Sequence, residues 1–149
     1  MNHGFVRVAA AVPRLEVADC EYNANNIAEM INSAEDDGVQ IIVFPELSIT
    51  AYTCGDLFHQ KALIDAAQEQ LKNLLARTRD TRIVAIAGMP VYAENQLFNC
   101  GVVMQGGEIL GVVPKTYIPG YKEFYEERWF SSGEKAMSES VFLCGREVP

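Results

Sequence analysis

Short apolar runs are the feature that most constrains the fold of this chain. Three of them, each predicted to be a β-strand, stand at residues 5–12, 39–44 and 82–87. The run at 39–44 has almost no alternation with polar residues, which is typical of a strand that is covered on both faces. Since helical periodicity separates them, the order of elements predicts an α/β fold, with a parallel-leaning sheet and helices packed on it.

The segments between these strands carry helix signals. Asp19 is a candidate N-cap for a helix that runs to about Asp37, and Gly38 is a plausible stop. A second helix is predicted at residues 59–79. Further along, Gly106 and Gly107 predict a tight hairpin turn between strands at 97–104 and 109–113, and one more strand is predicted at 141–144.

Composition excludes several classes of function. The 149 residues are enough for one domain, and the net charge of −8 argues against a nucleic-acid-binding surface. The four cysteines are widely spaced without a CxxC pair, so a zinc site is not expected and free thiols are. The N-terminus lacks the pattern of a signal peptide, and no stretch is long enough to cross a membrane. We therefore expect a cytoplasmic protein without a metal, nucleic-acid or membrane partner.

Two charged residues occupy equivalent positions in this pattern. Glu46 and Lys115 each follow a proline that ends an apolar strand. Taken alone, Glu46 is best interpreted as a turn cap or ion-pair partner, and Lys115 as a solvated surface lysine. Taken together at the carboxyl ends of strands, where α/β sheets bind ligands, they predict an acid for proton transfer beside an ammonium for an oxyanion.

Two longer motifs carry a resemblance to a known family. "VFPELSITAYTCGDLF" at residues 43–58 and "PKTYIPGYKEFYEERWFSSG" at 114–133 resemble the nitrilase superfamily of carbon–nitrogen hydrolases. More narrowly, they resemble the glutamine amidase domain of glutamine-dependent NAD synthetases. The resemblance extends over essentially the whole chain and implies an α-β-β-α sandwich that is considerably longer than 149 residues. Residues 1–149 would then be the N-terminal portion of the amidase domain, truncated.

The same resemblance implies chemistry and partners. The family hydrolyses the glutamine amide with a Glu–Lys–Cys triad, in which Glu46 matches the general acid/base and Lys115 the oxyanion stabiliser. The substrate would be glutamine. The partner would be a C-terminal synthetase domain, absent from this chain, which binds ATP and Mg. A homo-oligomer is also expected.

Three further residues match positions near the family's site. Tyr121 matches a residue that contacts the bound glutamine, and Tyr52 is either a pocket wall or ordinary aromatic packing. Glu126 matches an auxiliary acid near the lysine, with Glu123 and Glu127 as rivals; its alternative is an ion pair with Arg128. At Ala51 the family often has glycine, so alanine would be strained if that backbone needs a positive φ.

The nucleophilic cysteine is expected to lie beyond this chain. Cys20 is near a helix start, which can make a thiol mildly reactive, but it precedes the glutamate motif. Cys54 lies eight residues after Glu46, and Cys100 is expected in the core. Cys144 comes closest in order, yet it falls within or at the end of the last strand. We therefore expect the isolated chain to be inactive and to expose an apolar sheet face that favours self-association.

Two alternatives remain open from the sequence. The chain is also compatible with a stand-alone nitrilase-type amidase that acts on another amide. It is equally compatible with a non-catalytic module that keeps the fold and lacks the thiol. Sequence beyond Pro149 would separate these readings.

Overall fold

The computed structural model describes residues 4–149, and every structural statement below refers to that range. The first three residues of the segment considered for a signal peptide lie outside it. The strands are β1 (Val8–Ala10), β2 (Ile41–Val43), β3 (Val84–Ala93), β4 (Gln96–Gln105), β5 (Glu108–Pro114), β6 (Val141–Leu143) and β7 (Arg146–Val148). The α-helices are α1 (Cys20–Asp36) and α2 (Lys61–Arg77), and short 3₁₀ helices span Tyr52–His59, Glu126–Arg128 and Gly133–Lys135.

The main sheet has five strands in the order β1-β2-β3-β4-β5, and it is mixed. β1, β2 and β3 run parallel, whereas β4 and β5 are each antiparallel to the preceding strand. The predicted parallel character therefore holds for the first three strands only. Helical connections join parallel neighbours, while the tight turn at Gly106 and Gly107, both with positive φ, joins β4 to β5 as predicted.

Helix α1 agrees with its sequence signals at both ends. The Asp19 carboxylate accepts a hydrogen bond from the Tyr22 backbone N–H at 2.9 Å, which satisfies one of the free donors of the first turn. Gly38 follows the C-cap with a φ of +73°, a left-handed conformation that glycine adopts without strain. Along one face, Ile27 and Ile31 are fully buried. Each such side chain contributes about 1.5–3 kcal/mol relative to full exposure.

Strand β3 is longer than predicted, since the sequence pattern placed its end at residue 87. It continues through Gly88 and Pro90 to Ala93 and then turns at Glu94 and Asn95, both with positive φ, into β4. Glycine and proline usually weaken or end strands, so the sequence pattern stopped too early. Pairing with β4 over its whole length keeps the strand extended, with Pro90 opposite Asn99.

Three other predicted segments differ in their bounds. The strand predicted at 5–12 is shorter and becomes β1, an edge strand paired only with β2. The helix predicted at 59–79 begins at Lys61 instead, because a 3₁₀ helix precedes it. The last predicted strand becomes a small hairpin of β6 and β7, in which Cys144 and Gly145 form the turn with positive φ.

The two faces of the main sheet differ. The two helices pack against each other and against one face, where Ile42, Ala85 and Val102 are almost completely buried. On the other face, register aligns Ala10, Val43, Ile86 and Val103 in one apolar row, and Val43 is 42% exposed. The prediction that the second strand is covered on both faces is wrong within the described residues, because both helices lie on the same side.

Among the described residues, no helix combines the length and the apolarity that crossing a bilayer requires.

Candidate active site

The loop after β2 places Glu46 against β3 through a close backbone approach. The Ile49 N–H donates to the Gly88 carbonyl at 3.0 Å. A Cβ at position 88 would lie 2.3 Å from the Leu47 nitrogen and 2.8 Å from the Glu46 carbonyl carbon. Only glycine allows this approach, so the position of Glu46 depends on a residue 42 positions later.

Strand β5 delivers Lys115 by continuing its ladder one residue further. The Lys115 N–H donates to the Asn99 carbonyl on β4 at 2.7 Å. The Lys115 carbonyl accepts from the Gly133 N–H at 2.8 Å, which brings the segment after residue 115 back across the strand end. A Cβ on Gly133 would lie 2.9 Å from the Pro114 carbonyl oxygen, so this crossing is also tight.

The Lys115 ammonium lies between two carboxylates. Its Nζ is 2.8 Å from Glu46 Oε1 and 2.8 Å from Glu126 Oε2, with Glu126 Oε1 at 3.1 Å. The exposure of the two acids differs: the Glu126 side chain is 3% exposed and the Glu46 side chain 39%. The buried Glu126 carboxylate thus binds the lysine through both oxygens, whereas the more accessible Glu46 carboxylate binds it through one.

Two neutral side chains complete this cluster. The Tyr52 hydroxyl donates to Glu126 Oε1 at 2.7 Å. The Asn99 side-chain amide donates from Nδ2 to Glu46 Oε1. Each carboxylate therefore receives one neutral donor as well as the shared ammonium, as buried or half-buried carboxylates require.

The environment shifts the pKa of two of these groups. Burial disfavours the charged ammonium of Lys115, but hydrogen bonds to Glu126 and then Glu46 outweigh it, so the pKa of Lys115 is raised. The pKa of Tyr52 is raised by desolvation first and then by its bond to Glu126. At neutral pH the lysine is therefore a fixed positive charge and the tyrosine a neutral donor, an arrangement suited to stabilising a developing oxyanion.

A surface clamp holds together the two segments that carry Tyr52 and Glu126. The Asp56 carboxylate accepts hydrogen bonds from Arg128 Nε at 2.6 Å, Arg128 Nη2 at 2.9 Å and Trp129 Nε1 at 2.9 Å. Beneath it, the Phe58 ring packs on Trp129 and, edge to face, on Phe130 with centroids 4.9 Å apart. The Arg128 and Trp129 donors hold the pKa of Asp56 well below its usual range.

The structure brings four of the predicted site residues into one cluster, Glu46, Lys115, Glu126 and Tyr52. Of the three rival acids, Glu126 is the one that contacts the lysine. Its alternative pairing is not formed, because Arg128 binds Asp56 instead. Tyr121 lies apart from the cluster's hydrogen bonds: it is 65% exposed and packs edge to face on Phe124.

Two members of this arrangement were missed by sequence reasoning, Asn99 and Asp56. A signal for Asn99 existed, since a polar residue inside an apolar strand needs a hydrogen-bond partner when it is buried. Nothing in the spacing of Asp56 and Arg128, 72 residues apart, points to their pairing.

Ala51 has the strained backbone that its position suggested. Its φ is +67° with ψ of +153°, a region that residues with a Cβ rarely adopt. The residue is buried and stands directly before Tyr52. The strain therefore lies in the turn that directs the tyrosine toward Glu126.

The four cysteines are free and lie outside the cluster. Burial raises the pKa of the Cys20 thiol to about 11 and that of Cys100 to about 12. The expectation of a mildly reactive Cys20 is therefore wrong: the residue is 3% exposed, and desolvation raises the pKa of its thiol despite the nearby helix start. Burial also raises the pKa of Cys54 and Cys144.

Metal-ligand candidates do not cluster in the part of the chain that the structure describes. No group of three or more histidine, cysteine, aspartate or glutamate side chains there could hold an ion.

Comparison with known proteins shows which family this chain belongs to. A family model described as carbon-nitrogen hydrolase matches residues 7–145. A relative named glutamine-dependent NAD(+) synthetase, from Mycobacterium tuberculosis (strain ATCC 25618 / H37Rv), is 39% identical over 133 residues, which is 89% of this chain and 20% of the relative. One of the same name from Thermotoga maritima is 30% identical over 132 residues, 89% of this chain and 23% of the relative. The chain thus spans about a fifth of the length of these relatives.

Solved structures agree with the predicted fold class. The crystal structure of a glutamine-dependent NAD(+) synthetase from Cytophaga hutchinsonii superposes with a TM-score of 0.88 at 27% identity, covering 97% of this chain and 24% of that one. An amidase from Nesterenkonia sp. gives a TM-score of 0.71 at 21% identity, over 95% of this chain and 53% of the amidase, which supports the fold alone. The prediction of an α/β fold of the nitrilase type is confirmed.

Proposed function

The chain belongs to the carbon-nitrogen hydrolase family, and on that premise we propose that it forms part of a glutamine-hydrolysing site that supplies ammonia for NAD synthesis. The family resemblance seen in its two motifs is confirmed, and relatives named glutamine-dependent NAD(+) synthetase match 89% of its length. The substrate that we assign is glutamine, and the product passed on is ammonia.

We propose that residues 1–149 are the amino-terminal part of the glutaminase domain. The aligned 133 and 132 residues are 20% and 23% of these relatives, so most of each relative's length lies outside the match and leaves room for the rest of that domain and for a synthetase domain. ATP and Mg²⁺ would be bound by the synthetase domain, and we assign no residue of this chain to them. The catalytic cysteine would also lie in the additional sequence.

One observation carries the proposal: a single ammonium is held between two carboxylates of unequal exposure. Glu126 is buried and uses both oxygens on Lys115 and Tyr52, so it has little capacity left for substrate. Glu46 is 39% exposed and binds Lys115 through one oxygen. This asymmetry favours Glu46 as the general acid/base, Lys115 as the oxyanion stabiliser and Glu126 as the residue that positions the lysine.

The reaction follows from these roles. Glu46 accepts the proton of the cysteine thiol, and the thiolate attacks the side-chain carbonyl carbon of glutamine. Lys115 stabilises the resulting oxyanion, and protonated Glu46 gives its proton to the departing nitrogen, which leaves as ammonia. Glu46 then deprotonates the water that attacks the thioester. As the carbon–sulfur bond breaks, Glu46 returns that proton to the sulfur, so that glutamate is released and the thiol and the ionised Glu46 are restored.

None of the four thiols present fits the role of nucleophile. Cys20 and Cys54 are buried in the core, and the Cys54 thiol donates to the Thr50 carbonyl at 3.0 Å. Cys100 is buried on the helix-covered face of β4, opposite to its neighbour Asn99. Cys144 lies in the β6–β7 turn, with its Sγ 3.8 Å from the Gln68 carbonyl of α2.

The test uses the full-length protein that carries this chain. We expect Glu46→Gln to abolish glutamate release from glutamine, because the amide cannot accept the thiol proton, while NAD formation from added ammonia continues. Lys115→Ala should lose on the order of 10²–10³ in glutaminase turnover, as when an oxyanion-hole donor is removed. Glu123→Gln changes an exposed acid nearby and is the matched control that keeps both activities.

The same assay addresses the substrate contact that we propose for Tyr121. Its exposed ring is free to meet a ligand, so Tyr121→Ala should raise the KM for glutamine more than it lowers kcat.

Near-normal glutaminase turnover in Glu46→Gln would overturn the proposed function as a whole.

A further inference from the structure

Asn99 makes the contacts expected of a residue that orients the catalytic acid. It lies within β4, is 3% exposed, and directs its side-chain amide at Glu46 Oε1. Lys115 Nζ donates to that same oxygen at 2.8 Å. Among the described residues, Glu46 Oε2 receives no hydrogen bond, so the two donors distinguish one oxygen of the carboxylate from the other.

We propose that Asn99 is a positioning residue for Glu46. By holding Oε1 together with Lys115, it fixes the plane of the carboxylate and leaves Oε2 as the oxygen that exchanges protons with thiol, ammonia and water. This inference rests on the proposed function of Glu46 and assigns a residue through which that function acts.

Burial makes the contact specific. An amide that is taken out of water without a partner is destabilising, so an asparagine at this site is stabilised chiefly by what it binds. A hydrogen bond to a charged group contributes more than one between neutral groups. The carboxylate therefore cannot rotate about its terminal bond without losing both the amide and the ammonium.

The backbone of the same residue fixes the other half of the ion pair. The Asn99 carbonyl accepts the Lys115 N–H at 2.7 Å. One residue thus sets the position of the lysine through its main chain and the orientation of the glutamate through its side chain. A shift of β4 relative to β5 would displace both.

A second buried asparagine among the described residues provides a matched control. Asn23 on α1 is fully buried, and its side chain binds backbone groups only: it accepts from Glu16 N at 2.7 Å and donates to the carbonyls of Glu16 at 2.8 Å and Ile49 at 3.0 Å. It shares residue type and burial with Asn99 and makes no hydrogen bond to the charged side chains of the cluster. It meets the loop after Glu46 through the Ile49 carbonyl, so a loss of kcat that arises from loop displacement alone should appear in this control as well.

The experiment compares Asn99→Leu, Asn99→Asp and Asn23→Asp in the full-length protein, with glutaminase kcat and KM, ammonia-dependent NAD formation and thermal midpoint as readouts. We expect Asn99→Leu to lower kcat about 10-fold to 100-fold, the equivalent of one charged hydrogen bond, with KM for glutamine within about twofold. Ammonia-dependent NAD formation should not change. Asn23→Asp should lower the thermal midpoint and leave kcat within about threefold of wild type.

Asn99→Asp adds a readout that a merely structural role would not move. An ionised carboxyl at this position can only accept, whereas a protonated one again donates an O–H to Glu46. The kcat of Asn99→Asp relative to that of wild type at the same pH should therefore rise as the pH is lowered. Asn99→Asp also preserves the shape of the side chain, so it carries the test if Asn99→Leu does not fold.

The outcomes separate this inference from the proposed function. If Glu46→Gln loses glutaminase activity while folded Asn99→Leu or Asn99→Asp keeps wild-type kcat, the positioning role is wrong and the proposed function stands. If the kcat of Asn99 and Asn23 variants falls equally and in proportion to the thermal midpoint, Asn99 acts only through stability. If Glu46→Gln retains activity, the proposed function itself fails.

Discussion

The parallel and antiparallel halves of the main sheet each deliver one member of the Glu46–Lys115 pair, and they do so by different means. Glu46 follows a parallel strand of only three residues, and a loop that rests on the backbone of β3 at Gly88 positions it. Lys115 follows a seven-residue antiparallel strand and is held by one more rung of the same ladder.

The two ways of holding a residue differ in how much added side-chain volume they tolerate. A loop held by close packing of backbone on backbone has no side chain that can move aside, so added volume must displace the loop itself. A residue held by a ladder inherits its position from many hydrogen bonds, and a local clash can be shared among them. Glu46 should therefore be the more easily displaced of the two.

The largest expected effect comes from adding one methyl group at the parallel half. Gly88→Ala places a Cβ 2.3 Å from the Leu47 nitrogen, a distance that the backbone can relieve only by moving the Glu46 loop. We expect a loss of about 3 kcal/mol or more in the free energy of unfolding, the upper range for overpacking, together with loss of glutaminase activity. Urea denaturation and glutamate release measure the two.

The same substitution at the antiparallel half is the comparison. Gly133→Ala brings a Cβ to 2.9 Å from the Pro114 carbonyl oxygen, beside Lys115. We expect a loss of about 1 kcal/mol, because reduced freedom of the unfolded chain offsets part of the clash. Equal or reversed costs at the two glycines would contradict the view that added volume displaces Glu46 more easily than Lys115.

A smaller effect, of opposite sign, is expected from relieving strain in the Glu46 loop. Ala51→Gly removes the Cβ from a residue with a φ of +67°, which relieves strain of about 1–3 kcal/mol. Greater freedom of the unfolded chain and the loss of a buried methyl group offset most of this. We expect a net gain of up to about 1 kcal/mol in denaturant unfolding. Ala87→Gly, at a buried alanine of β3 without positive φ, should instead destabilise; a similar loss at Ala51 would show that its backbone is not strained.

The smallest expected effect concerns the surface clamp that joins the two halves. The pKa of folded Asp56 is depressed, so the stabilisation it supplies is present above its ordinary value of 3.8 and is lost as the pH falls below that value. Asp56→Asn should thus lower the denaturant midpoint slightly at neutral pH, with the difference from wild type vanishing in acid. Asp65→Asn alters an exposed pair within α2 and should show a smaller difference. A pH-independent effect at Asp56 would contradict the ion-pair account.

Sequence reasoning succeeded where the determining interactions are local. The cap at Asp19, the stop at Gly38 and the turn at Gly106 depend on neighbouring residues and the covalent limits of glycine. Glu46 and Lys115 were found because strand ends leave a visible mark, a proline after an apolar run.

The rest depends on contacts between distant residues, which periodicity does not encode. The extension of β3 past Gly88 and Pro90 requires β4 as a partner, and the Asp56 clamp joins positions 72 residues apart. Asn99 was overlooked for a related reason: its polarity inside an apolar strand predicts a hydrogen-bond partner, but only the fold shows that this partner is Glu46. Burial of the cysteines was predicted only for Cys100, since burial of the others depends on packing between elements.

The turns at the two ends of β4 also determine which of two neighbouring side chains meets the acid. Asn99 and Cys100 are adjacent and point to opposite faces, so a slip of one residue would exchange an amide for a thiol next to Glu46 and bury the amide among apolar side chains. The two-residue turns at Glu94–Asn95 and Gly106–Gly107 bound the strand on both sides, and any slip would have to rebuild both. An insertion or deletion in either hairpin, though distant from the charged cluster, would therefore act as an active-site mutation.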